Sequence, residues 1–295
     1  MPYYIRTLPD GTPHGGVWHL DDNTALRIDV GPGPGANYSR VGELSMLETI
    51  RRTETHWFEA QGGFHQLTLA PGEYYPRMAR PNNAYPHESP GSNPGHRDAL
   101  DFIAVARGQL FALAAQLHRI CQTVHPVDGT LDVYGHDIRN LLILACTEVE
   151  AHWRGVFVAN GHRKPRYTVR DYVELDRAMG LERYAVLFLN FPWLPPVRPF
   201  DGWTVNKGRL PWYQAYNAVK HNREEEFHKG SLRRAFEAVS ACFAMLCAQF
   251  GSVNTIRGTE LQGVMALADA PAWPLAEVYT HPYGAGGYRA VNYPF

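Results

Sequence analysis

The sequence carries no surplus of charge of either sign: 28 Lys and Arg stand against 29 Asp and Glu, a net charge of −1. That balance excludes the electrostatic footprint of proteins that coat long nucleic acids, so any nucleic-acid contact must be local. Cysteine is scarce. Cys121, Cys146, Cys242 and Cys247 contain no C-x-x-C pair and fall in apolar segments with helical periodicity, which predicts buried reduced thiols. The opening "MPYYIRTLPDG" has no apolar run after a basic stretch, and no run approaches the roughly 18 apolar residues of a membrane span. The expectation is a cytoplasmic protein with no membrane partner. The glycine-rich "GPGPG" (31 to 35) is not followed by Lys-Ser/Thr, and its prolines delete the amides a phosphate loop would offer. A turn is the expected reading there. No H-E-x-x-H pattern and no repeat unit occur.

What is present is ordinary for a folded globular chain: 295 residues, 45% hydrophobic, 12% aromatic and 19% charged. That length suits one large domain or two ordinary ones. Residues 1 to 95 are rich in turn formers, with strand patterns at "TALRIDV" (24 to 30) and "FHQLTLA" (64 to 70) and a helical pattern over 41 to 60. They predict a small mixed α/β layer. From residue 96 the texture changes. Helices are predicted over 97 to 124, 136 to 160 and 168 to 181, the last with Thr168 as N-cap and Asp171 completing a capping box. "YAVLFLNF" (184 to 191) reads as a strand and "PWLPPVRPFDGW" as an ordered loop, followed by helices over 212 to 228 and 231 to 251. In the tail, "TELQGVMALADA" is helix-capable, and the aromatic "YGAGGYRAVNYPF" is expected to dock on the N-terminal layer. The expected domains are therefore 1–95, 96–250 and 251–295.

The chemistry concentrates in "WYQAYNAVKHNREEEF" (212 to 227). At helical spacing Trp212, Tyr216, Val219 and Phe227 share an apolar face. Asn217, His221, Glu224 and His228 form an adjoining polar stripe with Lys220 beside them. On the earlier helix, Glu148 and His152 stand at i, i+4, as do Glu150 and Arg154. Such pairs can orient a catalytic group or form local ion pairs. The loop "GHRKPRYTVR" (161 to 170) is the one concentrated basic segment. Its Arg163, Lys164, Arg166 and Arg170 surround Tyr167, a composition suited to a single-stranded phosphate backbone with one stacked base or to a solubilising loop. His118, Cys121 and His125 share one helix face, but Cys121 falls in the apolar stripe and the sequence names no fourth ligand. No metal and no cofactor are expected.

"YNAVKHNR" (216 to 223) together with "LLILACTEVEAHWR" (141 to 154) resembles the HEPN superfamily, the higher eukaryotes and prokaryotes nucleotide-binding proteins. The resemblance spans roughly 96 to 250 and implies a mainly α fold. That fold is a HEPN-like helical bundle with a small mixed α/β N-terminal layer and an irregular C-terminal tail. It also implies RNA or a nucleotide as ligand, a homodimer through the late helices, a partner protein, and a metal-independent endoribonuclease of bacterial stress or antiphage defence. The alternative is a catalytically silent bundle for dimerisation, nucleotide binding or partner-protein binding. On the superfamily's R-N-x-x-x-H pattern, Asn217 matches the Asn and His221 the His, while Tyr216 stands at the Arg position. RNA cleavage through the 2′-hydroxyl builds negative charge on phosphorus and needs a positioned cation. The resemblance then implies His221 as acid/base, Asn217 and Glu148 as positioning groups, and Lys220 or Arg223 as the phosphate cation.

Overall fold

The computed structural model describes residues 2–7, 13–28, 37–53, 63–81, 93–282 and 286–295. The chain divides into two compact units: residues 1–74, 80–94 and 272–291, and residues 75–79, 95–271 and 292–295. The "GPGPG" segment and residues 54 to 60 of the expected first helix lie outside the described residues.

In the first unit, strands β1 (Tyr3–Thr7), β2 (Pro13–Leu20), β3 (Thr24–Arg27), β4 (Asn37–Ser39) and β5 (Phe64–Gln66) form an antiparallel sheet in the order β4-β3-β2-β1-β5. The β1–β2 register pairs Tyr3 with His19 and Ile5 with Val17. Alternation of side chains then sends Ile5 and Val17 to a cluster with Ile28, Leu67, Trp273 and Val278. Trp18 and Leu20 go to another cluster, with Met46 and Ile50 of helix α1 (Met46–Thr53). Ser45 and Glu48 close α1 with a capping box, Ser45 N–H donating to Glu48 at 2.9 Å and Glu48 N–H to Ser45 Oγ at 3.2 Å. Buried Arg80 lies over the Trp273 ring at 3.6 Å. The tail returns to this unit, where Arg289–Ala290 pairs in parallel with β6 (Glu73–Tyr74).

The second unit is mainly helical. Helices α2 (Leu100–Thr123), α3 (His136–Ala159), α6 (Pro211–His221) and α8 (Leu232–Phe250) pack on one another, with α3 against α8 as the central pair. Between α3 and α6 come the short helices α4 (Val169–Tyr172) and α5 (Glu174–Met179) and strand β7 (Ala185–Phe188). Every residue from Ala238 to Phe250 of α8 is buried, the signature of a helix surrounded on all sides. Trp153 of α3 anchors an aromatic cluster, stacked on Trp203 at 5.2 Å and packed on Tyr172 at 4.8 Å and Tyr213 at 5.5 Å. All four cysteines are free and buried, and burial pushes the Cys121 thiol up to about 12.

Residues Pro94–Thr123 are long and apolar enough to cross a membrane, by length and composition. In the fold α2 buries Ile103, Ala106, Leu110, Leu113 and Leu117 against the bundle.

Two expected elements are corrected. The helix expected over 212 to 228 ends at His221. Asn222 leaves helical geometry at φ −135°, ψ 66°, and a separate turn, α7 (Arg223–Glu226), follows. Asn222 before three glutamates is a helix-start pattern, and it wins over continuation. In the tail, the helix-capable "TELQGVMALADA" becomes a 3-10 turn over Glu260–Gly263 and strand β8 (Met265–Asp269). Pairing with β7, Phe188 opposite Met265 and Leu187 opposite Ala266, overrides the helix propensity of Met, Ala and Leu.

Candidate functional site

Helix α6 begins at Pro211, whose fixed φ suits a first helical position. It buries Trp212, Tyr213, Ala215, Tyr216 and Val219. The outward side carries His221, which is exposed and makes no hydrogen bond among the described residues. Asn217 does not reach toward His221; its amide donates to the Tyr213 carbonyl of its own helix at 3.0 Å. Because the helix stops at residue 221, Glu224 and His228 do not continue the stripe, and exposed Arg223 sits on α7.

Tyr216, at the position where the superfamily pattern has Arg, is buried at 1% exposure. Lys220, one turn on, lays its ammonium on the phenol: Nζ donates to the Tyr216 hydroxyl at 2.7 Å and lies 4.8 Å from the ring centroid. Lys220 therefore does bring a cation to the end of the residue 216 side chain. The hydrogen bond from Lys220 to Tyr216 raises the Lys220 pKa above the ordinary lysine value, against a smaller opposing effect of burial. The ammonium is charged throughout the neutral range.

The carboxylate that faces α6 is Glu150. Its Oε1 accepts from Tyr213 at 2.5 Å and its Oε2 from Tyr216 at 3.4 Å. Burial, reinforced by that carboxylate, pushes the Tyr213 pKa well up, so the phenol remains a donor. The sequence expectation placed Glu148 here. On a helix, residues 148 and 150 point about 200° apart, and Glu148 belongs to a different cluster. It lies 3.4 Å from His152 Nε2. Buried Gln249 donates to His152 Nδ1 at 2.9 Å and to the Met245 carbonyl at 2.9 Å, while its Oε1 accepts from Arg77 Nε at 2.6 Å. Since Gln249 is the donor to Nδ1, the network assigns the His152 proton to Nε2, facing Glu148. Arg77 lies over Phe102 at 4.1 Å in a left-handed conformation, φ 56°. Desolvation lowers its pKa to about 10, with Glu148 acting in the opposite sense. A Cβ at Gly155 would run into this guanidinium, so the glycine makes room for it.

The loop between α3 and α4 is braced rather than loose. Asp171 accepts from the Thr168 N–H at 2.7 Å and from Lys164 Nζ at 2.6 Å. Those partners hold its carboxyl down at about 2, the Lys164 hydrogen bond being the largest cause. Tyr167 stacks on Phe157 at 5.2 Å with planes 10° apart, and its hydroxyl donates to the His162 carbonyl at 2.5 Å. One face of Tyr167 is thus occupied, and Lys164 is neutralised. Arg163, Arg166 and Arg170 are exposed and form no ion pair among the described residues.

Residues 235 to 250, the surface expected from the sequence to carry a homodimer, are almost wholly covered by the chain itself. His118 stacks on Phe191 at 5.9 Å and His125 packs on Trp193 at 4.9 Å. Among the described residues no group of three His, Cys, Asp or Glu is placed to hold a metal ion.

The sequence reading missed the chain Glu150–Tyr213–Tyr216–Lys220. Its signal was the i, i+3, i+7 spacing of Tyr213, Tyr216 and Lys220, which puts three polar tips beside one buried face. Comparison with known protein families, curated proteins and solved structures finds no match to this chain.

Proposed function

We propose that this chain is a HEPN-like, RNA-directed protein that holds the phosphate backbone of single-stranded RNA on the loop 161 to 170. The observation that carries this reading is the set Arg163, Arg166 and Arg170, three exposed guanidiniums without an ion pair among the described residues, the first two on the braced loop and the third on the first turn of α4. A guanidinium binds phosphate with paired, geometrically fixed donors. The brace matters because ordering a loose loop on binding would cost free energy. Fluorescence anisotropy with a labelled single-stranded RNA tests it: the parent binds, and the Arg163→Ala/Arg166→Ala/Arg170→Ala variant loses most of the affinity. Equal affinity of the two proteins would remove the loop from the account.

A second reading, metal-independent cleavage at α6, is favoured by one observation, the Lys220 ammonium lying 2.7 Å from the Tyr216 hydroxyl in the residue preceding exposed His221. In that chemistry His221 takes the proton of a 2′-hydroxyl, the 2′-oxygen attacks the adjacent phosphorus, and the bond to the 5′-oxygen breaks as that oxygen takes a proton from solvent water. The products are a 2′,3′-cyclic phosphate and a 5′-hydroxyl. Lys220 would offset the charge gathering on the phosphoryl oxygens. If this operates, cleavage persists in chelator and His221→Ala abolishes it without lowering Tm, since His221 is exposed. Cleavage that survives His221→Ala, or that EDTA stops, contradicts it. Binding without cleavage leaves the loop reading intact and makes the bundle catalytically silent.

A further inference from the structure

Helix α2 departs from the usual amphipathic pattern, for its outward face carries an apolar row as well as its buried one. One face packs into the bundle through Ile103, Leu110 and Leu117. The opposite face carries Asp101, Val105, Gly108, Ala112, Ala115 and Arg119, all exposed, with Val105 at 74%. The spacing of that row is four, three, four, three and four residues, the a/d pattern of a helix seam. Among the described residues, nothing in the bundle covers it.

We propose that a second copy of this chain covers it, α2 lying antiparallel on α2 about a twofold axis near Leu110. The charges select the partner and the direction. Asp101 and Arg119 close the two ends of an apolar row and neither has an ion-pair partner among the described residues. In the antiparallel arrangement Asp101 stands beside the copy's Arg119, Val105 beside its Ala115 and Gly108 beside its Ala112. A parallel pair would set Asp101 on Asp101 and Arg119 on Arg119, and like charges so placed oppose association. The contact is self-complementary, as a twofold interface must be. Small residues at 108, 112 and 115 let the two helices approach closely over a seam about 27 Å long at ~1.5 Å per residue.

A second feature fits the same occupant. A groove of about 670 Å³ flanks the C-terminal half of α2, lined by Ala112, Gln116, Arg119 and Ile120 on one side and by the start of α3 on the other. On the helical wheel Val105 and Gln116 lie on the same side of the row, so the copy's Val105, level with Ala115, meets the rim of this groove. The most exposed apolar side chain of the face thereby gains cover. The interface differs from the late-helix surface expected from the sequence, and it does not depend on the RNA reading.

Sedimentation velocity of the full chain at micromolar concentration tests it. The parent is expected to be a dimer. Gly108→Arg is expected to be a folded monomer, because open space surrounds this position within its own chain. Asp101→Arg and Arg119→Asp should each weaken the dimer by about tenfold or more, and the two together should restore it. A parent monomeric at all concentrations overturns the proposal, as does a dimer indifferent to Gly108→Arg or a charge swap that fails to rescue. So does flotation of a monomer with phosphatidylcholine vesicles that Val105→Glu abolishes, which would make the face a lipid contact.

Discussion

At the scale of single residues, the side chain that organises α6 is Tyr216, and what it contributes is hydrogen bonding. Tyr216 is buried and ties Lys220 to Glu150 across the α3–α6 contact. Tyr213 makes the shorter bond to the same carboxylate, 2.5 Å against 3.4 Å. Tyr213→Phe should therefore destabilise the protein by about 1–3 kcal/mol, the range for stripping a partner from a partly buried acceptor, and Tyr216→Phe by less. Urea melts of the two variants check the order; the reverse ranking would show that Glu150 leans on Tyr216.

Asp171 gives a second residue-scale prediction. Its folded pKa of about 2 lies below the ordinary 3.8. A depressed carboxylate stabilises the fold above its unfolded pKa and loses that contribution as pH falls through the folded value. The brace on the loop should thus persist at pH 4 and release toward pH 2. The Thr168 amide shift should titrate with a midpoint near 2. A midpoint at the ordinary carboxylate value would mean that Lys164 and Asp171 do not pair in solution.

At the scale of elements, much was legible because helical periodicity over long spans leaves little choice. Helices α2, α3 and α8 and strand β7 fall within the predicted spans, and the Thr168–Asp171 capping box forms. The failures have physical causes. "MALAD" has no strand signature of its own and becomes β8 because β7 offers it a partner. The stop after His221 was written in Asn222 and the glutamates behind it, but the apolar spacing out to Phe227 masked it. Glu148 and Glu150 stand two residues apart on one helix, and only the packing of α3 decides which carboxylate faces α6. Trp153 shows what holds these elements together, since its ring contacts side chains from α4, α6 and the loop before α6. Trp153→Ala should cost about 3–5 kcal/mol, the range for emptying a large aromatic site. A loss under 1 kcal/mol in chemical denaturation would mean that the cluster collapses to fill the space.

At the scale of the whole molecule, near-neutral charge and a local cluster of arginines lead to one expectation: affinity for RNA that is modest, localised and salt-dependent. A net charge of −1 gives no long-range attraction, so removal of three guanidiniums should remove most of the electrostatic contribution. The central claim is tested most directly by the slope of log Kobs against log salt for a single-stranded RNA, parent against Arg163→Ala/Arg166→Ala/Arg170→Ala. Each phosphate contact with a single strand contributes about 0.7 to that slope. The variant's slope should be shallower by about 2, with the same Tm as the parent. Parallel slopes at equal affinity would contradict the assignment of RNA phosphate to this loop.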